Sequence, residues 1–369
     1  MIYQNAKAPR FRVCRMFYDN RTQGLFEDFE GAGGSQFVQE SSVRFFPTAK
    51  RIVIFTSECL VAQKHLEGIL PFMAQNNLQP VIFFTPGTKS PRANIAPLQR
   101  FSFYEEGIFN ETIYPYLESK RPEKGARLSA TFNELVKQYD CEPHRLETMK
   151  DPAVLRAVQS PATIGALSIY HDAIFKADLI TAVKEKGFFW NVHPAILPKD
   201  RGLYAAFWNR VNGVNRHGTS LHEIDEGIDT GGLISTYRQN LHKDRSILEA
   251  YFEVGEGGAS LVRDALKSYL RSGKVESQIM ATEEGNYYTF PTESDIAVAE
   301  ERGINLCGRP EDMVEMYTRM FGADPVLKSH IVEAIADYEG LDPNWLRAKT
   351  STAGSAPVFS LPAYRRLTV

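Results

Sequence analysis

Cysteine is scarce and never paired in this chain. Cys14, Cys59, Cys141 and Cys307 lie far apart with no CxxC spacing, which argues against a disulfide framework and a cysteine zinc site. Long apolar runs are missing as well, and none approaches the ~18 residues that a membrane span needs. The N-terminus, MIYQNAKAPRFRVCRMF, lacks the unbroken apolar core of a signal peptide. The resulting expectation is a cytoplasmic, reduced protein with no membrane partner. An excess of one charge is also lacking. The 42 Lys and Arg against 45 Asp and Glu leave a net charge of -3, so there is no electrostatic case for nucleic-acid binding.

What is present is the composition of an ordinary soluble globular protein, 43% hydrophobic and 24% charged over 369 residues, enough for about two domains. Residues 1–48 are rich in aromatics and charge, without a clean period, and read as an appended segment packed on the main body. The glycines of GAGGS at 31–35 follow no strand and read as a turn. Residues 49–272 read as the catalytic domain and 273–369 as an accessory region.

Within the central region, RIVIFTS at 51–57 and Val81–Phe84 read as buried parallel strands around a helix over 60–76, which Pro71 would kink or split. Residues 86–127 read as a long irregular excursion. A helix over 151–159, a strand over 162–169, a helix over 174–186 and a strand over 188–193 follow. Helix is expected over 202–211, strands over 219–224 and 233–237, and one long helix over 246–272. Gly255, Gly257 and Gly258 fall inside that helix, where they suit close packing. A turn-rich stretch then leads to helices over about 295–348 and a pattern-poor tail from Lys349. The β-α-β opening points to an α/β, Rossmann-like, doubly wound and mostly parallel sheet.

The chemistry concentrates in GFFWNVHPAILPKDRGLYAAFWNRVNGVNRHGTSLHEIDEGIDTGGLI at 187–234. Asn191 and His193 are two apart on the expected strand, so their side chains share a face. That strand's carboxyl end is where a doubly wound sheet forms its ligand crevice. Asp229 follows in a loop flanked by Gly227, Gly231 and Gly232 and could present a carboxylate to the same face. An amide, an imidazole and a carboxylate converging on one point suit acyl transfer. The spacings of the His and Asp residues fit no standard ligand motif, so no metal is expected.

The run N-V-H-P…L-P-K-x-R-G followed by H-G-T-S-L-H-E-I-D-E-G-I-D-T-G-G-L-I closely resembles the folate-dependent formyltransferase family, which includes glycinamide ribonucleotide transformylase, methionyl-tRNA formyltransferase and the sugar-nucleotide N-formyltransferases. The resemblance covers residues 150 to 270 well and 50 to 150 only in pattern. It implies a formyltransferase fold and transfer of a formyl group from 10-formyltetrahydrofolate to a primary amine. It implies Asn191 and His193 as oxyanion donors and Asp229 as the carboxylate that assists the proton. Arg201, Gly202 and His222 fall near the acceptor, although Arg201 could equally hold its loop by hydrogen bonds and His222 could orient the loop. Tyr170, His171, Asp172 and Ile174 fall in the loop that grips folate, with Asp225 either beside the cofactor or shaping its own loop as an Asx-type turn. IYHDAIFK departs from the small or apolar residues often found there.

The acceptor expected from the motif wording is a nucleotide-linked amino sugar. Hydroxyornithine and glycinamide ribonucleotide are alternatives, and the acidic helical C-terminal region disfavours tRNA. A hydrolase releasing formate and a catalytically inactive binding protein remain as other classes. A homodimer stands open as the oligomeric state.

Overall fold

The computed structural model describes residues 15–19, 24–28, 49–85, 94–120, 127–322 and 324–351. Two compact units divide the chain, residues 1–47 and 48–369. In the first, β1 (Arg15–Asp19) and β2 (Gly24–Asp28) form an antiparallel ladder. The expected GAGGS turn at 31–35 lies outside the described residues.

The second unit is built on a seven-stranded sheet. β3 (Lys50–Thr56), β4 (Leu78–Phe84), β5 (Glu142–Arg145), β6 (Thr163–Ile169) and β7 (Phe188–His193) run parallel. The short β8 (Asp200–Gly202) stands outside this sheet. β9 (His217–Glu223) is antiparallel to β7, and β10 (Leu233–Gln239) is antiparallel to β9. The strand order is β10-β9-β7-β6-β3-β4-β5, while β8 pairs in parallel with β11 (Asn286–Tyr288). The expected doubly wound, mostly parallel sheet is therefore present.

Both faces of the sheet are covered, which explains why its central strands read as continuous apolar runs. Ile52 and Ile54 of β3 face one core, shared with α1 (Leu60–Gln75). Val53 and Phe55, pointing the other way, face a second. Pro71 sits inside α1 without splitting it. Next come α2 (Ala96–Ser102), two π-helical stretches over 103–107 and 109–113, and α3 (Tyr114–Ser119). The expected irregular excursion is thus mainly helical where described. Its aromatics explain this, because Phe101, Tyr104, Phe109 and Tyr114 are buried in the first core and fix a helical face despite the charged residues between them.

α4 (Phe132–Gln138) precedes β5. α5 (Pro152–Gln159) and α6 (Ala177–Lys184) cover the second face with Val154, Val158, Ile180 and Val183. α6 is shorter than the sequence pattern implied, and residues 174–176 belong to the loop before it. The helix expected from Gly202 begins at Ala205 as α7 (Ala205–Val211), because 200–202 pair as β8. The expected long helix divides at Val254 into α8 (Ile247–Glu253) and α9 (Gly255–Ser272). The glycines that open α9 serve close packing, since a Cβ on Gly258 would come within 2.5 Å of His65 in α1. α10 (Glu293–Glu301), α11 (Pro310–Phe321), α12 (Pro325–Glu339) and α13 (Pro343–Ser351) complete the described chain and share the first core with the sheet.

β7 delivers the first motif, and its inward residues hold it. Phe189 is buried in the second core beside Phe55 and Phe175. Phe189→Ala should therefore cost about 3–5 kcal/mol by leaving a cavity under the motif strand. Urea unfolding measures this, and a loss within about 1 kcal/mol would mean that the site collapses easily.

Candidate active site

A cleft of about 380 Å³ lies at the carboxyl ends of β6 and β7, where an open α/β sheet binds its ligands. Asn191, His193, Gly202, His222 and Asp229 all line it. The β7–β9 register sets Asn191 opposite His222 and His193 opposite Ser220. The 225–232 loop between β9 and β10 then carries Asp229 back over them.

Hydrogen-bond partners fix the orientation of these groups. His193 Nε2 lies 2.9 Å from the Asp200 carbonyl, which can only accept, so this nitrogen carries a proton. His193 Nδ1 is left facing Asp229 Oδ1 at 3.5 Å. By the same logic His222 Nδ1 donates to the Glu223 carbonyl at 2.7 Å. His222 Nε2 then lies 3.0 Å from Asn191 Nδ2 and 3.5 Å from Asp229 Oδ1. In neutral His222 that nitrogen accepts from the Asn191 amide, which keeps one N–H free to serve the cleft.

Asp229 is largely buried, with its side chain 11% exposed, and its backbone takes a left-handed φ of 54°. This conformation is uncommon outside glycine and costs free energy that the loop must supply. Its Oδ2 accepts from the Gly202 N–H at 2.9 Å. Burial works against the Asp229 carboxylate, yet His193, His222 and the Gly202 N–H hold its pKa well below the usual range.

The folded-state value lies below the unfolded one of about 3.9, so between the two the unfolded chain binds more protons and stability rises with pH. The Asp229 contribution is present above that unfolded value and is lost as pH falls toward the folded one. The stability gap between the native chain and Asp229→Asn should be widest near about pH 6 and narrow toward about pH 3. Urea midpoints across that range measure it, and a gap independent of pH would contradict this account of the carboxylate.

The second expected group also borders the cleft. Tyr170, with φ 51°, turns the chain out of β6, and the Ser57 hydroxyl donates to its carbonyl at 2.7 Å. His171, Asp172 and Ile174 follow along the wall. The Thr85 hydroxyl donates to the Thr56 carbonyl and also lies 2.9 Å from His171 Nδ1, so Nδ1 is the protonated nitrogen. Burial pushes the His171 pKa down to about 4. The ring is thus neutral near pH 7, stacked on Phe175, with Nε2 unpartnered among the described residues.

Asp225 lines the cleft, but its Oδ1 accepts from the Gly227 N–H at 3.1 Å and the Thr230 hydroxyl at 2.6 Å. That is the loop-shaping Asx-type arrangement. Arg201 is set apart from the others. Its guanidinium donates to the Thr282 carbonyl and lies 5.9 Å over the Tyr287 ring.

The cleft also takes in residues that sequence patterns did not point to. Phe101 comes from the helical excursion, Tyr251 from α8 and Tyr287 from β11. Ile174 (75% exposed), Ile228 (45%), Leu203 (41%) and Tyr287 (51%) give its mouth an apolar rim. Among the described residues no cluster of three or more His, Cys, Asp or Glu could hold a metal ion.

Residues 120–256 match the family model described as Formyl transferase. Among curated proteins the chain is 33% identical over 86 residues to a methionyl-tRNA formyltransferase of Myxococcus xanthus, covering 23% of this chain and 27% of that one. It is 28% identical over 166 residues to a methionyl-tRNA formyltransferase of Paraburkholderia phymatum, covering 42% and 49%. The matches span less than half the length of these curated relatives. Among solved structures, a 4-N formyltransferase from Francisella tularensis aligns at 16% identity and a TM-score of 0.44, over 68% of this chain and 78% of that one. Glycinamide ribonucleotide transformylase 1 from Symbiobacterium toebii aligns at 14% identity and the same score of 0.44, over 68% and 100%.

The matched stretch contains β6, β7, β9 and the Asp229 loop, and it defines the class as a formyl transferase domain. Over that stretch the chain is similar to formyl transferases.

Proposed function

We propose that the protein moves a formyl group from 10-formyltetrahydrofolate to a primary amine, and that this amine belongs to an amino sugar carried on a nucleotide. The observation that carries the reading is the convergence of Asn191, His193 and Asp229 in one cleft, with His222 between amide and carboxylate.

The cleft suits a folate. Its apolar rim can take a flat aromatic body. Bound there, the folate would supply the formyl carbon, held in an N-formyl bond that breaks in the transfer. The amine attacks that carbon, a C–N bond forms, and the C–N bond to tetrahydrofolate then breaks. The free N–H of Asn191 stabilises the oxyanion, joined by His193 Nδ1 once that nitrogen has taken the amine's proton. Asp229 has too low a proton affinity to keep the amine's proton near pH 7. The proton instead passes to His193 Nδ1, which lies 3.5 Å from Asp229 Oδ1, and on to the leaving nitrogen.

A saturating stable formyl-folate analogue should add about 2.7 kcal/mol of stability by mass action at one hundred times Kd and raise the melting temperature accordingly. No shift, together with no folate-dependent turnover, would leave only a likeness of fold.

For the acceptor, a nucleotide handle would supply remote binding energy to orient the amine, and the R-G after L-P-K fits sugar-type wording. The similarity to methionyl-tRNA formyltransferases makes methionyl-tRNA the rival. Against tRNA stand the net charge of -3 and the acidic first turns of α10 and α11. Competition at equal concentration among a nucleotide-linked amino sugar, hydroxyornithine and charged tRNA decides between them. A far higher kcat/KM for either of the last two would sink the sugar assignment and leave formyl transfer standing.

A further inference from the structure

The histidine and carboxylate of the cleft are both held by one edge of a three-residue strand. The Asp200 carbonyl of β8 accepts from His193 Nε2, and two residues on the Gly202 N–H donates to Asp229 Oδ2. A shift of β8 by a fraction of an ångström therefore moves both partners of the pair. So short a strand has little rigidity of its own, and its position must come from what grips it.

Two grips are present. On one side β8 pairs with β11, and the Leu203 N–H donates to the Tyr288 carbonyl at 3.0 Å. On the other, the Asp200 side chain is completely buried and bound to Arg216, which donates from Nε at 2.6 Å and from Nη2 at 2.5 Å. Asn209 Nδ2 adds a third donor at 3.0 Å and also bonds the Arg216 carbonyl. Arg216 immediately precedes β9, the strand that supplies His222. A bidentate guanidinium pair fixes direction as well as distance. A buried carboxylate bound on both oxygens costs too much to release for β8 to drift.

We propose that Arg216 and Asp200 are positioning residues which, by clamping β8, keep the proton of His193 on Nε2 and leave Nδ1 to Asp229. Neither side chain lines the cleft, so their effect reaches the reaction only through His193 and Asp229. The inference rests on the formyl-transfer reading for its kinetic consequence but not for its structural one.

The test uses the full chain with Arg216→Lys, Asp200→Asn and the native protein. Lysine keeps the charge but loses the fork, and asparagine keeps the size and part of the hydrogen bonding, so at least one folded variant is expected. Imidazole nitrogen NMR with ¹⁵N-labelled histidine reads the proton position of His193 directly. In the native chain it should report Nε2–H, whereas the variants should show a mixed population or Nδ1–H. Formyl transfer should fall on the order of 10²-fold in kcat in at least one folded variant, the scale expected for a small misplacement of reacting groups. KM for donor and acceptor should change little, and the pH profile of kcat should shift. A merely structural role predicts lower melting temperatures with an unchanged His193 spectrum and unchanged kcat per folded molecule, and that result overturns the proposal. Absence of turnover in the native chain alongside altered His193 spectra in the variants would defeat the proposed function while upholding the clamp.

Discussion

Turnover by the Asp229→Asn, His193→Ala and Asn191→Ala variants is expected to fall on the order of 10²-fold or more each, with the fold retained. The three losses arise differently. Asn191→Ala removes the amide that donates to the oxyanion and also the partner of His222 Nε2. His193→Ala removes the group that holds the proton. Asp229→Asn keeps the shape and the bond from Gly202, since the amide oxygen can still accept, but it removes the negative charge that faces His193 Nδ1 and His222 Nε2. Its loss should therefore appear in kcat. Rates measured at saturating donor and acceptor, with circular dichroism as the check on folding, decide this. Near-native kcat in Asp229→Asn would remove the carboxylate from the mechanism.

Gly202→Ala should be nearly as damaging, though the position carries no reactive group. Gly202 has φ 84°, and an added Cβ would meet the Tyr288 carbonyl oxygen at 2.1 Å. Backbone oxygen cannot rotate aside, so β8 and β11 must separate. Alanine at such a φ adds strain on the order of 1–3 kcal/mol. The displaced strand carries away both the N–H that holds Asp229 and the carbonyl that holds His193. A kcat loss on the order of 10²-fold is expected, with a lowered melting temperature. Native activity in this variant would mean that β8 tolerates movement, which would weaken the account of the site as a rigid pair.

The parts of the fold that could be read in advance were those with a local signal. β3, β6 and β7 are apolar runs because neighbours cover both faces, and Asn191 with His193 could be placed on one face from the period of a strand. The 94–120 segment misled because its buried aromatics are spaced by charged residues and π-helical turns, which blur a 3.6-residue period. β5, EPHR, has no apolar run at all. As a sheet edge it pairs only with β4, so packing asks little of its side chains. β8 and β11 were invisible for another reason, since three-residue strands 86 positions apart leave no mark in either segment alone.

The site divides in the same way. Asn191, His193, His222 and Asp229 could be picked out because their loops and motifs carry them. Asp225 had two readings, and its hydrogen bonds match the loop-shaping one. Arg201 also had two readings, acceptor contact or loop support, and its guanidinium is bound to the 282–287 segment. Arg216 and Asp200 had no legible role, because an ion pair between a three-residue strand and the residue before β9 is a product of tertiary geometry alone.

The measurement that bears most directly on the central claim is a turnover assay of the full chain with 10-formyltetrahydrofolate and a panel of amines, read by mass spectrometry of the acceptor. The account predicts a mass gain of one formyl group on an amine, stoichiometric release of tetrahydrofolate, and loss of both in His193→Ala. Release of formate without any formylated amine, or folate turnover unaffected by His193→Ala, would contradict it.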